Sequence, residues 1–208
     1  LTFDDGFISN KKIADEVLNP MGIHALFFIV PAFADLTNQD DARKFIAQYI
    51  YPDIKVENIP AGWCNMQWKE LEFLLNSGHT IGHHTKTHAR LSQIKENASL
   101  EREITDSANT LESKLGIDIQ DFAFPFGNID SFSPDALRVA RKRFPFVYTG
   151  LRGNNTFKTP PWAIRRDAVQ PYDSLNLIGT LLEGGADIQY SSSLKTYENW
   201  NLEDNNVQ

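Results

Sequence analysis

Two short polar motifs in this sequence have the residue types and spacing to bind a metal ion. The first is Thr2-Phe3-Asp4-Asp5-Gly6, in which two adjacent carboxylates follow an apolar residue. Adjacent carboxylates repel each other, and burial increases that repulsion. An acidic turn at Asp-Gly is therefore one interpretation. A bound cation is the other, because it would take one carboxylate as a ligand and lower the pKa of its neighbour.

The second motif is His84-Thr85-Lys86-Thr87-His88, and four of the five histidines lie between positions 79 and 88. Two histidines four residues apart lie on one face of a helical turn, close enough to bind one ion. A pair of solvated histidines is the alternative. The motif follows a short predicted strand, where α/β folds place their sites. Together with Asp5, the pair would leave coordination positions open for water and substrate, as hydrolytic zinc sites do.

Short apolar runs alternate with amphipathic stretches along the chain, which predicts βα units around a largely parallel sheet in an α/β fold. The first strand is predicted to end at Asp4, and the others cover 24–30, 79–83, 121–124 and 146–149. Helices are predicted at 10–18, 40–49, 67–76, 100–115 and 173–182, and another begins at Ser133-Pro134. Residues 1–208 are predicted to form one domain with an insertion at about 31–65. The final twenty or so residues are polar and are predicted to pack loosely.

Composition excludes several classes of function. The net charge of -7 provides no basic surface for nucleic acid or an anionic membrane. No apolar run is long enough to span a bilayer. Cys64 is the single cysteine, which excludes an internal disulfide and slightly favours a cytoplasmic location.

A third stretch, Phe122-Ala123-Phe124-Pro125-Phe126-Gly127, follows the two polar motifs. The three motifs, in this order and spacing, resemble those of the polysaccharide deacetylases, carbohydrate esterase family 4. The third resembles the family variant that reads Phe-Ala-Tyr-Pro-Phe-Gly. The resemblance covers residues 1 to about 127. It implies a distorted, incomplete (β/α) barrel and a metal-dependent hydrolase that removes N-acetyl groups from amino sugars of a polysaccharide or glycan.

The resemblance also implies roles for the residues of the first two motifs. Asp4 corresponds to the family's general base. Asp5, His84 and His88 correspond to the ligands of a divalent metal ion. Zinc is the expected ion, although cobalt or nickel would suit the same donors.

In the third motif the resemblance implies that the backbone N–H of Phe126 helps to hold the oxyanion, a role that needs no particular side chain. Pro125 and Gly127 would shape the substrate-binding loop. Trp162 is a further candidate for substrate binding, since its ring could stack on a sugar, or it could pack in the core.

The sequence departs from the family pattern at two places. Many members begin the third motif with an arginine that orients the base, and Phe122 stands near that position. Arg166 is the expected substitute, with Arg165 as the alternative. The family's later histidine, a general acid, has no counterpart, because no histidine follows His88.

These departures keep two alternative functions open. One is a catalytically impaired relative that binds glycan, and the other is a hydrolase of a small non-sugar amide, with Trp63 narrowing the site. Of the remaining histidines, His83 is interpreted as structural and pointing away from the site, while His24 and His79 are expected in the core.

Overall fold

A computed structural model describes residues 1–170 and 172–204 of the chain. Five short parallel strands form one sheet in chain order: β1 (Thr2–Phe3), β2 (Leu26–Ile29), β3 (Thr80–His83), β4 (Asp121–Ala123) and β5 (Phe146–Tyr148). The sheet curls into a half-barrel with helices around it. This confirms the predicted α/β fold and the incomplete (β/α) barrel.

The helices surround this sheet. They are α1 (Ile8–Ile13), α2 (Pro31–Ala34), α3 (Gln39–Phe45), α4 (Trp68–Asn76), α5 (Asn97–Glu101), α6 (Ser107–Leu115), α7 (Pro134–Arg143), α8 (Leu175–Leu182) and α9 (Ser191–Asp204). A π-helical turn at Ala14–Leu18 extends α1, another at Ile46–Ile50 extends α3, and a third at Arg102–Asp106 joins α5 to α6. Short 3₁₀ turns complete several of the loops. Among the described residues, no helix combines the length and apolar character needed to cross a membrane.

The predicted elements correspond closely to these helices and strands. Phe27, Phe28 and Ile29 in β2 are all buried, as expected for a strand covered on both faces. In the continuous helix from α5 to α6, the apolar stripe that includes Leu100 and Ile104 faces the core. The helix α2 was not predicted, because its four residues are too few to show a periodic pattern.

Residues 31–65 have a hydrophobic cluster of their own. Phe33, Phe45 and Ile46 lie at its centre, and Phe7 and Trp63 pack against it. The end of this segment is joined to the first motif, because the Met66 N–H donates to the Gly6 carbonyl at 2.8 Å. The segment therefore lies beside the two adjacent aspartates, while its interpretation as an insertion in a single domain stays a prediction.

The expectation that the final residues pack loosely was wrong for the described part of α9. Tyr197 is only 2 % exposed, its hydroxyl donates to the Trp162 carbonyl at 2.7 Å, and its ring packs against Phe132. Trp200, three residues later, contacts the same Phe132 ring. Two aromatic side chains three residues apart share one helix face, so they anchor a helix whose other positions are mostly polar.

Candidate active site

The three motifs come together at the carboxyl edge of the sheet. Asp4 and Asp5 follow β1, His84 begins the turn after β3, and Pro125 lies in the turn after β4. Parallel strands present their carboxyl ends at one edge, so residues far apart in sequence become neighbours there.

Asp5, His84 and His88 form one compact cluster. The Asp5 Oδ1 atom lies 3.5 Å from His84 Nε2 and 3.3 Å from His88 Nε2. One donor atom from each residue falls within 4.8 Å of the others, and no other such group of three occurs in the part of the chain that the structure describes. These are the three residues that the two motifs predicted as metal ligands, and the structure brings them together.

Both imidazoles are oriented by backbone carbonyls. His84 Nδ1 lies 2.8 Å from the Ala123 carbonyl, and His88 Nδ1 lies 2.9 Å from the Tyr49 carbonyl. A carbonyl only accepts, so each Nδ1–H donates to its carbonyl, and the Nε2 atom of each ring faces Asp5. Ligand histidines in metal sites are oriented in the same way. Two imidazole nitrogens and one carboxylate therefore fit zinc, cobalt or nickel.

The charges of Asp5 and His88 shift each other's pKa values. Burial alone would raise the pKa of Asp5, but hydrogen bonds from His84 and His88 hold it well below its usual value. Burial would lower the pKa of His88, but the Asp5 carboxylate raises it above its usual 6.5. A proton on His88 or a bound metal ion would each balance the carboxylate.

Asp4 is held separately, by Arg166. The Arg166 Nη1 donates to Asp4 Oδ1 at 2.6 Å and Nη2 donates to Oδ2 at 2.9 Å, a two-pronged charge-assisted contact. Burial would raise the pKa of Asp4, but the Arg166 charge, with a contribution from His84, lowers it below 3.8. The lowered pKa keeps Asp4 ionised near neutral pH. Its side chain is 35 % exposed and therefore accessible.

Arg165, the alternative to Arg166, points elsewhere. Its guanidinium lies 3.4 Å from the Asn154 carbonyl and 3.8 Å from the Glu198 carboxylate. The structure therefore brings Arg166, and not Arg165, to the first motif.

The third motif forms a tight turn beside the histidines. Phe126 and Gly127 both have left-handed backbone conformations, with φ of 61° and 69°. The Gly127 carbonyl accepts from the Gly150 N–H at 2.8 Å, and a Cβ on Gly127 would lie 2.6 Å from that nitrogen. Pro125 is buried, while the Phe126 ring stacks edge-on against His88.

Backbone strain is concentrated in these turns. The described non-glycine residues with positive φ are Asp5, Thr85, His88 and Phe126, and each belongs to one of the three motifs. The left-handed region costs a non-glycine residue on the order of 1–3 kcal/mol, and such residues cluster at functional sites. The strain independently singles out the same turns as the motifs.

Trp162 lies apart from this cluster. The Arg141 guanidinium stacks 4.4 Å from the centre of its ring, and the Tyr197 ring packs beside it. These contacts with helices α7 and α9 support packing rather than sugar stacking.

The other histidines have different surroundings. His83 is fully buried between Phe122 and Phe144, and burial holds its pKa well below its usual value, in agreement with its structural interpretation. His79 is buried and bonded to the Ala25 N–H and to Asn19. The expectation for His24 was wrong, because its side chain is exposed just before β2 begins.

Two residues at the site carried no recognisable motif. Glu103 binds the backbone between the two histidines. The pKa of Tyr51 is raised, first by burial and then by the charge of Asp5, so Tyr51 lies near the carboxylates. Both come from segments whose position against the motifs depends on the tertiary fold, so no local pattern could reveal them.

A family model described as polysaccharide deacetylase matches residues 1–143. No curated protein matches the sequence.

Several solved structures have a similar fold at low sequence identity. The Streptococcus pyogenes deacetylase PplD, in complex with acetate, has a TM-score of 0.66 at 18% identity, over 87% of this chain and 68% of that one. A polysaccharide deacetylase from Bacillus cereus has a TM-score of 0.64 at 19% identity, over 87% and 50%. IcaB from Ammonifex degensii has a TM-score of 0.61 at 22% identity, over 90% and 71%. This chain thus spans only half the length of the Bacillus cereus protein.

Proposed function

The chain belongs to the polysaccharide deacetylase family, and we propose that it removes N-acetyl groups from amino sugars of a polysaccharide or glycan by metal-dependent hydrolysis. The Streptococcus pyogenes deacetylase, which shares the fold, was solved in complex with acetate. Acetate is the product that the proposed reaction would release.

One observation carries this proposal: an ionised carboxylate, Asp4, is fixed by Arg166 next to a two-histidine, one-carboxylate cluster. The Asp4 Oδ2 atom lies 3.9 Å from His84 Nε2, so base and ligands border the same space. A protein that only binds glycan needs no oriented base. The arrangement therefore favours a hydrolase over a catalytically impaired relative.

Asp5, His84 and His88 would hold the metal ion. When bound, a divalent ion polarises the amide carbonyl and lowers the pKa of a water molecule. Zinc suits these donors best, and cobalt or nickel would be accepted by the same set.

The chain's own residues supply the proton transfers and part of the charge stabilisation. Asp4 would take a proton from the attacking water, whose oxygen forms the new bond to the acetyl carbon. Arg166 would keep the Asp4 oxygens in place during this step. The Phe126 N–H, in its left-handed turn, would donate to the carbonyl oxygen as negative charge develops there.

The leaving nitrogen also needs a proton when its bond to the acetyl carbon breaks. No histidine follows His88 to provide one. Asp4 can return the proton it received, because a carboxyl group whose pKa is lowered is a weaker base but a stronger acid once protonated. The net reaction then consumes one water and yields acetate and the amine, which carries the remaining proton as an ammonium group.

Acetate release from N-acetylated chito-oligosaccharides tests the proposal, with zinc content measured on each protein. Zinc-loaded wild type should release acetate. Asp4→Asn should keep its zinc and lose about 10²–10⁴ of the rate, which is the usual contribution of a general base. Asp135→Asn is the matched control, since Asp135 is exposed at the start of α7 and touches no site residue.

Two results would contradict the proposal in different ways. If wild type binds no zinc, then Asp5, His84 and His88 are not a metal site. If it binds zinc but releases no acetate from any N-acetylated sugar, the metal site stands and the substrate class is wrong.

A further inference from the structure

Glu103 holds the loop that carries the two histidines. It lies in the π-helical turn between α5 and α6. Its Oε2 atom accepts from the Thr87 N–H at 3.0 Å, and its Oε1 atom accepts from the Thr87 hydroxyl at 2.9 Å. Both carboxylate oxygens of Glu103 therefore bind Thr87, the residue directly before His88.

The backbone of Glu103 binds the same loop. Its carbonyl accepts from the Lys86 N–H at 2.9 Å and from the Ser107 hydroxyl at 2.7 Å. The Ser107 oxygen in turn accepts from His83 Nε2 at 2.8 Å. The π-helical turn therefore binds the loop between its two histidines, and Ser107, at the start of α6, binds His83 directly before them. Turns of the π-helical type occur frequently at functional sites.

This support is applied where the loop is strained. Thr85 and His88 have left-handed backbones, with φ of 60° and 61°, on either side of the segment that Glu103 binds. A strained backbone persists only where its surroundings fix it. Without the Glu103 contacts, His88 could relax away from His84 and from Asp5.

We propose that Glu103 is a positioning residue that sets the placement of His88 relative to His84 and Asp5, and thereby the metal affinity of the site. This inference rests on the proposed metal-dependent function. Glu103 acts through the loop and not by contact with a reacting atom.

The continuous helix from α5 to α6 contains a second carboxylate, Glu112, that serves as a matched control because its role is purely structural. Glu112, in α6, accepts from the Ile119 N–H at 2.9 Å and pairs with Arg143 at 2.6 Å. It fastens a loop to the helix as Glu103 does, but that loop leads into β4 and not to the histidines. A general loss of loop support should affect both variants alike, whereas a positioning role should distinguish them.

The experiment measures zinc affinity by calorimetry and the visible spectrum of the cobalt-substituted protein, using the full chain. Glu103→Ala should weaken zinc binding about 10–100-fold, the range found when groups that orient metal ligands are removed, and should alter the cobalt spectrum. Glu103→Gln keeps one acceptor oxygen and should recover part of the affinity. Glu112→Gln should bind zinc as wild type does.

Thr87→Val provides a second test if Glu103→Ala fails to fold. It removes the hydroxyl donor but keeps the N–H and the carboxylate, so zinc binding should weaken less than in Glu103→Ala. Wild-type zinc affinity in both Thr87→Val and Glu103→Gln would overturn the inference. So would equal losses in Glu103→Gln and Glu112→Gln.

The failure of this inference is distinguishable from that of the proposed function. If wild type binds zinc and releases acetate while the Glu103 variants retain full affinity, only the positioning role is wrong. If wild type binds no zinc at all, the proposed function fails first and the positioning role fails with it.

Discussion

At the scale of single residues, the site is defined by which atom of each side chain is already occupied. The backbone carbonyls of Ala123 and Tyr49 accept hydrogen bonds from the Nδ1–H groups of His84 and His88, which leaves Nε2 of each ring directed at Asp5. Arg166 occupies both oxygens of Asp4. The neighbouring carboxylates of the first motif therefore have different partners, which explains how two adjacent anions are tolerated.

The pH dependence of zinc binding follows from these partners. In the metal-free protein Asp5 raises the pKa of His88 above 6.5, so a proton occupies His88 below that pKa. Zinc must displace this proton, so its affinity should fall as the pH falls through the raised pKa and become flat above it. Calorimetry at pH 6 and pH 8, in buffers of different ionisation enthalpy, would count the protons released.

The exposed histidine provides the control for that measurement. His24→Ala should show the same pH dependence as wild type, because His24 lies outside the site. An affinity that is equal at pH 6 and pH 8 would contradict the prediction.

At the scale of elements, the strained turns lie directly after short strands, and backbone contacts with other segments stabilise them. The turn after β4 depends on the approach of Gly127 to Gly150, just beyond the end of β5. The histidine loop depends in a similar way on the π-helical turn at Glu103. Each turn is thus fixed by a second element rather than by its own sequence.

Substitution of the buried Gly127 should therefore reduce activity more than substitution of a glycine in an exposed turn. Gly127→Ala adds a Cβ 2.6 Å from the Gly150 nitrogen at a φ of 69°, so the turn must shift and displace the Phe126 N–H. We expect kcat for acetate release to fall by about 10²–10³, as when one oxyanion donor is lost.

A matched control is Gly116→Ala, which has a similar φ of 66° but no atom near the added Cβ. It carries the same backbone penalty without the clash, so it should lose stability but keep its activity. Equal activity in the two variants would show that the Gly127 turn does not hold the oxyanion donor.

At the scale of the whole molecule, the curl of the sheet brings its two edges to one place. The strand β5 lies at one edge, and the segment after it pairs through Ile164 with Tyr148. Arg166, two residues further on, reaches Thr2 and Asp4 at the opposite edge, 3.2 Å from the Thr2 hydroxyl. The side chain that orients Asp4 therefore also bridges the open side of the half-barrel.

Arg166→Lys should consequently lower both activity and stability. Lysine cannot make the two-pronged contact, and loss of hydrogen bonds between charged groups should reduce the free energy of unfolding by about 1–3 kcal/mol. Because the pKa of Asp4 is lowered on folding, this difference should be present above pH 3.8 and disappear as the pH falls through the lowered pKa. Urea unfolding at pH 7 and at acid pH would measure it.

Arg143→Lys is the comparison, since Arg143 pairs with Glu112 in a similarly enclosed position between the outer helices. It should lose stability while acetate release continues at the wild-type rate. If Arg166→Lys keeps full activity, then Arg166 does not orient the base.

The sequence by itself predicted the residues of the candidate site and most of the strands and helices that carry them. His84 and His88 could be predicted as a metal-binding pair from their spacing of four residues. Asp5 was predicted to join them because it follows an earlier strand of the same sheet, and because the motifs resemble those of the deacetylase family. The strands and helices could be predicted because burial of one or both faces imposes a periodicity on neighbouring residues. The aromatic contacts of α9 were not predicted, because most residues around Tyr197 and Trp200 are polar.

Only the tertiary structure decided between Arg165 and Arg166, and only it revealed Glu103 and the Tyr49 carbonyl as supports of the histidines. Arg166 and Asp4 are 162 positions apart. Their contact depends on how far the sheet curls, a sum of twists and packing contacts over the whole chain. The spacing of neighbouring residues indicates which chemical role a side chain can have. The geometry of the whole barrel decides which distant side chain contacts it.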